Sequence, residues 1–140
     1  MNFRVFSYVC KDFIFFNSSQ GLPNALQGIP LSLSKDISEP QKGTGYNDVD
    51  GQEIFEGDII DLYYIDNIEF EQKYGKKVPK DRWTFVIEFK HGCFGYRAYD
   101  KAQHNPDDWE FKCFYNNEES YSIIDDLIKS KIVGNIFTYK

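Results

Sequence analysis

Residues 44–59 read TGYNDVDGQEIFEGDI, and the way this stretch bends decides the fold. Asp50 and Gly51 form an Asp-Gly pair, which supplies the positive φ angles of a two-residue hairpin turn. Seven residues on, Gly57 and Asp58 make a second tight corner. There the glycine takes a backbone angle that other residues avoid and the aspartate hydrogen-bonds to turn amides. The stretch therefore reads as a tight hairpin feeding a strand, and its acidic side chains read as parts of turns.

Outward from it, residues 83–90 alternate strictly. Trp83, Phe85, Ile87 and Phe89 fall on one face, and Thr84, Val86, Glu88 and Lys90 on the other, as in a strand with one buried face. His91-Gly92 makes a turn, and residues 93–99 return with Phe94, Tyr96 and Ala98 on the same side. A further strand is expected over 109–115. Towards the N-terminus, Phe3, Val5 and Ser7 oppose Arg4, Phe6 and Tyr8, and a second apolar run at 13–16 completes a hairpin. Residues 17–40 are rich in Ser, Gly, Pro and Asn and read as a linker or irregular cover. One helix is predicted around Ile123, Ile124, Leu127 and Ile128, with Ser122 and Asp125 as its capping box. A last strand over 132–139 is broken by Gly134.

Composition narrows the functional classes. The 140 residues fit one compact domain, or one with a small appendage, long enough to bury a core without metals or disulfides. Aromatic residues make up 18% of the chain, with 13 Phe and 10 Tyr. That bias favours β-sheet and supplies a surplus suited to a partner interface. A net charge of −6 lacks the overall cationic surface that sequence-independent nucleic-acid binding requires. Cys10, Cys93 and Cys113 are scattered, with no C-x-x-C pair, and suit reduced thiols in a cytoplasm. No apolar run approaches a membrane span, and Arg4, Lys11 and Asp12 interrupt the N-terminus, which is no signal peptide.

Candidate sites are few. Asp48, Asp50 and Glu53 fail as a calcium loop, because the register that places the two aspartates leaves Tyr46 and Gly57 where carboxylates are required. Glu56 and Asp58 flank Gly57 and are read as turn residues in preference to an acid–base pair. His91 lies in a turn, and His104 with Asp107 and Asp108 lacks a second imidazole or thiolate at metal-ligand spacing. No nucleophile elbow or phosphate loop is present. Lys73, Lys76, Lys77, Lys80 and Arg82 concentrate positive charge beside Tyr74 and Trp83. Such interleaving could suit a single-stranded nucleic acid, although a loop kept soluble by its lysines is the favoured account.

Four pieces resemble the YopX family of phage- and prophage-encoded proteins, in the family's order. Residues 3–16, FRVFSYVCKDFIFF, are similar to its opening pair of strands. Residues 44–59 follow its T-G-x-x-D-x-x-G-x-E-I-[YF]-E-G-D-I run. Residues 86–94, VIEFKHGCF, resemble its V-x-F-x-x-G-x-F hairpin, and residues 132–136, IVGNI, its terminal V-I-G-N-I strand. The family's Trp-Asp in the opening strand is Phe6-Ser7 here, and residues 65–82 look like an insertion. The resemblance implies an SH3-like β-barrel and a phage or prophage origin, and it carries over no activity and no catalytic residue.

The combined expectation is a mainly β chain, with an N-terminal hairpin subdomain over 1–43, a small barrel over 44–140 and one short helix before the last strand. Functionally it is a non-catalytic, cytoplasmic interaction or self-assembling module, a homo-oligomer without cofactor or metal. Two alternatives are a nucleic-acid-binding accessory protein using the basic segment and an enzyme with an unrecognised site.

Overall fold

The computed structural model describes residues 2–17, 36–77, 84–99, 109–116, 121–122 and 124–138. The fold is mainly β, and the strand pairings among the described residues are all antiparallel. β1 (Asn2–Ser7), β2 (Asp12–Asn17), β3 (Gln41–Asn47) and β4 (Glu53–Phe55) form one sheet in the order β2-β1-β3-β4. β5 (Asp58–Asp61), β6 (Thr84–Lys90), β7 (Cys93–Ala98), β8 (Lys112–Cys113) and β11 (Lys131–Asn135) form a second, in the order β11-β5-β6-β7-β8. β9 (Tyr115–Asn116) and β10 (Tyr121–Ser122) pair separately. No ladder between β8 and β11 closes the larger sheet into a ring among the described residues. Gly43, where the sequence suggests a boundary, lies within β3, which pairs with both β1 and β4.

The β6–β7 hairpin follows its sequence closely. Lys90 pairs with Cys93 across His91 and Gly92, whose φ angles of 54° and 78° are both left-handed, as the favoured two-residue turn requires. Phe85 and Ile87 enter the core with Ile54, Ile60, Leu62, Phe114 and Leu127. Burial at the start of β6 is two-sided, since Thr84 and Val86 are also enclosed. Gln41, Gly57 and Ile136 border the same small cavity as Val86.

The Asp50-Gly51 turn departs from expectation. Only Gly51 has a positive φ, 81°, and Asp50 does not. The Gly51 N–H donates to the Asp48 carbonyl, and the Asp48 N–H donates to the Gln52 carbonyl, 2.8 Å away. This is a three-residue hairpin with glycine in the left-handed position. Asp48 organises it, because its Oδ1 accepts from the N–H groups of Asp50 and Gln52 and its Oδ2 from Ile132.

Residues 65–82 are not simply a loop. α1 (Tyr64–Tyr74) occupies most of the described part and ends where Gly75, at φ 67°, donates its N–H to the Glu71 carbonyl. None of its residues is buried, which explains why only a short apolar run announces it. The expected helix before the last strand is α2 (Ile124–Leu127), a single turn. Ile123 and the side chains of Ser122 and Asp125 lie outside the described residues, as do Trp83 and most of 17–40. The strand expected over 109–115 shrinks to β8, and the last strand ends at Asn135.

The cysteines correct a further expectation. Cys93 and Cys113 are joined in a disulfide, leaving Cys10 free and exposed. β8 returns beside β7, pairing Cys113 with Gly95 and so placing it diagonally across from Cys93. Twenty residues of separation hide that proximity. Gly95 admits this approach, because a Cβ there would collide with the Lys112 carbonyl and the Phe111 ring.

Two glycines separate backbone strain from packing. Gly51 and Gly57 have φ angles of 81° and 85°, but a Cβ at Gly51 meets open space while one at Gly57 strikes the Gln41 side-chain amide. Gly51→Ala should cost about 1–2 kcal/mol from backbone strain alone. Gly57→Ala should cost about 1–3 kcal/mol more from overpacking. Urea denaturation of both variants checks this, and equal losses would show that the Gln41 contact carries no energy.

Candidate functional site

The first sheet lies against the second through one face of β1 and β2. Cross-strand pairing puts Asn2 with Asn17, Arg4 with Phe15 and Phe6 with Phe13. Phe6 stacks on Phe137, just beyond β11, at 4.7 Å between centroids and 4° between planes. Phe13 and Tyr8 meet the same Phe137 ring edge-on, and Phe15 meets Phe55. The N-terminal hairpin therefore packs on its own chain.

Arg4 sits in the middle of this face, almost wholly buried. Its Nη2 donates to Asp58 Oδ1 at 2.7 Å, and Asp58 is only 2% exposed. Nε donates to the Gln41 side-chain oxygen at 2.8 Å, and Nη2 also reaches the Glu56 carbonyl at 3.3 Å. The guanidinium lies over the Phe13 and Phe55 rings, 3.8 and 4.8 Å from their centroids, where the ring quadrupoles favour a cation. Asp58 Oδ2 accepts from the Phe55 N–H at 2.8 Å, closing the turn in which Gly57 sits.

Burial acts on both charges in the same sense. It lowers the Arg4 guanidinium from its usual value, opposed by Asp58 and Glu56, although an arginine remains protonated. It raises the Asp58 carboxyl above the ordinary carboxylate range, opposed by Arg4 and the Phe55 N–H. Each charge is tolerated because the other answers it.

Beside this pair opens a cavity of about 570 Å³ between β2, β4 and β11. Phe13, Phe15 and Phe55 supply apolar wall, Arg4 and Asp58 contribute from the buried pair, and Glu53 and Asn135 also line it. Phe15 is 60% exposed, and Val133 and Ile136, within and just after β11, are exposed as well. Glu53 is held by Asn2, whose Nδ2 donates to it at 2.6 Å.

The residues singled out from sequence take different places. Asp58 does accept a turn amide, as expected, but its pairing with a buried cation beside a cavity goes beyond a turn role. Glu56 does not join it as an acid–base pair, since its Oε1 accepts the Lys42 N–H at 2.8 Å. Asp50 is exposed, 3.8 Å from Lys131. Lys73 lies in the last turn of α1, and Lys76 and Lys77 follow Gly75, all exposed. Lys80, Arg82, His104, Asp107 and Asp108 lie outside the described residues. Among the described residues, no three His, Cys, Asp or Glu side chains gather as metal ligands, and no helix is long and apolar enough to cross a membrane. Arg4, Phe15 and Asn135 escaped the sequence reading. The available signal was a lone cation on a strand face otherwise carrying Phe6 and Tyr8.

In comparison with known proteins, the chain matches no family model, and no curated protein matches it.

Removing one partner of the buried pair tests its weight. Arg4→Met leaves Asp58 enclosed without a counter-charge and should cost about 3–5 kcal/mol near neutral pH. Without Arg4, Asp58 holds its proton more tightly folded than unfolded. Stability of the variant is then greatest below the unfolded carboxyl value of about 3.9 and falls as pH rises through the higher folded one. Adding Asp58→Asn to Arg4→Met should restore most of the loss at neutral pH. Chemical denaturation across pH checks both, and a pH-independent deficit would refute the assignment.

Proposed function

We propose that this protein is a non-catalytic interaction module that binds a polypeptide, another protein or a second copy of itself, through the cleft between β2 and β11. The observation that carries the reading is the largely exposed Phe15 ring on the wall of a cavity that Phe13, Phe16, Phe55 and Ile132 also line. Exposed apolar surface bordering a concavity is how interaction sites announce themselves. The carboxylates that might have served catalysis are engaged otherwise, with Asp48, Glu56 and Asp58 each accepting backbone N–H groups.

The proposal includes a phage or prophage origin, which rests on the YopX-like run at 44–59, and action in the host cytoplasm. A reducing cytoplasm would open the Cys93–Cys113 disulfide that the structure shows. The β7–β8 ladder and the Phe114 N–H to Phe94 carbonyl bond, at 3.0 Å, would still hold that edge.

Light scattering on the eluting protein at micromolar concentration should give a multiple of the monomer mass. Phe15→Ser should lower that mass while changing stability by no more than about 0.5 kcal/mol, as expected for an exposed position. A wild-type protein that stays monomeric removes self-assembly and leaves a different polypeptide as the partner.

The nucleic-acid reading finds less support. Lys73, Lys76 and Lys77 are exposed near Tyr74, but Asp66, Glu69 and Glu71 on the same helix offset them one for one. A short single-stranded oligonucleotide titrated at low and high salt should show no salt-dependent binding; a steep salt dependence would revive that function.

A further inference from the structure

We infer that the outer edge of β2 pairs antiparallel with β2 of a second copy of the chain, about a two-fold axis at Phe15, so that two four-stranded sheets continue into one. This rests on the interaction reading above and names the partner and the mode of contact.

The direction of the main-chain groups carries it. In an antiparallel ladder, hydrogen-bonded and non-hydrogen-bonded pairs alternate, and the N–H and C=O of one residue point to the same side. Phe6 turns both of its groups away from β2, because its N–H donates to Ser38 Oγ at 2.8 Å and its carbonyl accepts from the Ser38 N–H at 2.9 Å. Phe6 pairs with Phe13 and, two residues back, Arg4 pairs with Phe15. Phe13 and Phe15 therefore direct their main-chain groups outward, away from β1. The Phe13 N–H is met locally, donating to Asp12 Oδ1 at 2.8 Å. No described residue meets the main-chain groups of Phe15, whose ring is 60% exposed.

β2 ends its sheet, and it lacks the devices that blunt an edge, which are shortness, charge and bulges. β4 has three residues and carries Glu53, and β8 has two and begins at Lys112. β11 begins at Lys131 and shifts register between Ile132 and Gly134. β2 has six residues, and its inner four, Phe13, Ile14, Phe15 and Phe16, carry no charge. An edge of that kind is a template for another strand.

Any extended chain could meet the main-chain groups; a copy also brings an apolar partner to the side chains. With the axis at Phe15, outward positions face outward positions, so that Phe15 exchanges both hydrogen bonds with its counterpart and Phe13 faces Asn17. On one side of the sheet the two Phe15 rings become cross-strand neighbours. On the other, Ile14 of each chain faces Phe16 of the other, and aromatic and aromatic–β-branched pairs of this kind are favourable. The one charge of the strand, Asp12, falls at opposite ends of the ladder, so no like charges meet.

The test is amide hydrogen exchange by NMR on the isotope-labelled full chain in dilute and concentrated solution, with sedimentation reporting the mass. The Phe15 N–H should exchange about tenfold more slowly in the concentrated sample, as a hydrogen bond made only on pairing protects it. Ile14 and Phe16, already bonded to β1, should not change. Phe15→Lys and Phe15→Glu should each weaken self-association about three- to tenfold, because like charges then face each other across the axis. An equal mixture of the two should associate more tightly than either alone. A mixture no tighter than its components overturns the inference. So does unchanged Phe15 exchange in a wild-type protein that associates, and the cleft between β2 and β11 then stands as the interaction surface. A wild-type protein that stays monomeric in concentrated solution also overturns it, leaving a different polypeptide as the partner of the cleft. If Phe15→Ser keeps both the mass and the slowed exchange at position 15, the edge pairing stands and the reading of the cleft fails.

Discussion

A single guanidinium withdrawn from water ties together segments far apart in the chain. Arg4 reaches Gln41, the Glu56 carbonyl and Asp58, so β1, β3 and the turn between β4 and β5 share one cation. That turn is where the backbone leaves the first sheet and enters the second. It is also docked on both sides, since the Gly57 N–H donates to the Ile87 carbonyl at 2.7 Å and its carbonyl accepts from Ile136 at 2.9 Å. Gly57 lacks a Cβ because Gln41, itself held by Arg4, occupies that space. Removing the charge from this arrangement would disturb the sheet junction, the N-terminal hairpin and the end of β11 together.

Apolar burial divides around that junction. One cluster, with Ile54, Ile60, Phe85, Ile87 and Leu127, lies within the body. The other is aromatic, with Phe6, Phe13 and Tyr8 meeting Phe137, so that the two ends of the described chain lock onto each other. The high Phe content thus has a structural use in joining the hairpin to the body. Ring pairs of this kind contribute about 0.5–1.5 kcal/mol beyond their area. Phe15 belongs to the same row of side chains, but its ring stays largely in solvent.

What the sequence revealed depended on whether the cause was local. The β6–β7 hairpin was legible because a period-2 pattern and a His-Gly turn are both short-range signals. The Gly57 corner was legible for the same reason. α1 was not, because residues 64–74 carry only a short apolar run in Tyr64, Ile65 and Ile68 and the helix buries none of its residues fully, leaving the Gly75 cap as the main clue. The Asp50-Gly51 turn was located but given the wrong geometry. The competing residue was Asp48, whose carboxylate gathers three amides, one of them from Ile132 at a separation of 84 residues. The Cys93–Cys113 contact, the Arg4–Asp58 pair and the cavity all arise from tertiary adjacency. A single strand pattern carries no record of which strand lies opposite.

The cavity lies against a buried ion pair, which has a consequence for its wall. A buried pair adds little net stability, because desolvation of both charges offsets most of their attraction. Its geometry is nevertheless exacting, since the guanidinium must meet a carboxylate, an amide oxygen and two ring faces at once. The cavity wall it shares therefore has few alternative arrangements. Hydrophobic residues of similar volume could seal the sheet junction equally well. They could not hold the Gln41 side chain, the Glu56 carbonyl and the Asp58 carboxylate at once, and that difference is a physical reason for an arginine to stand in the middle of an aromatic sheet face.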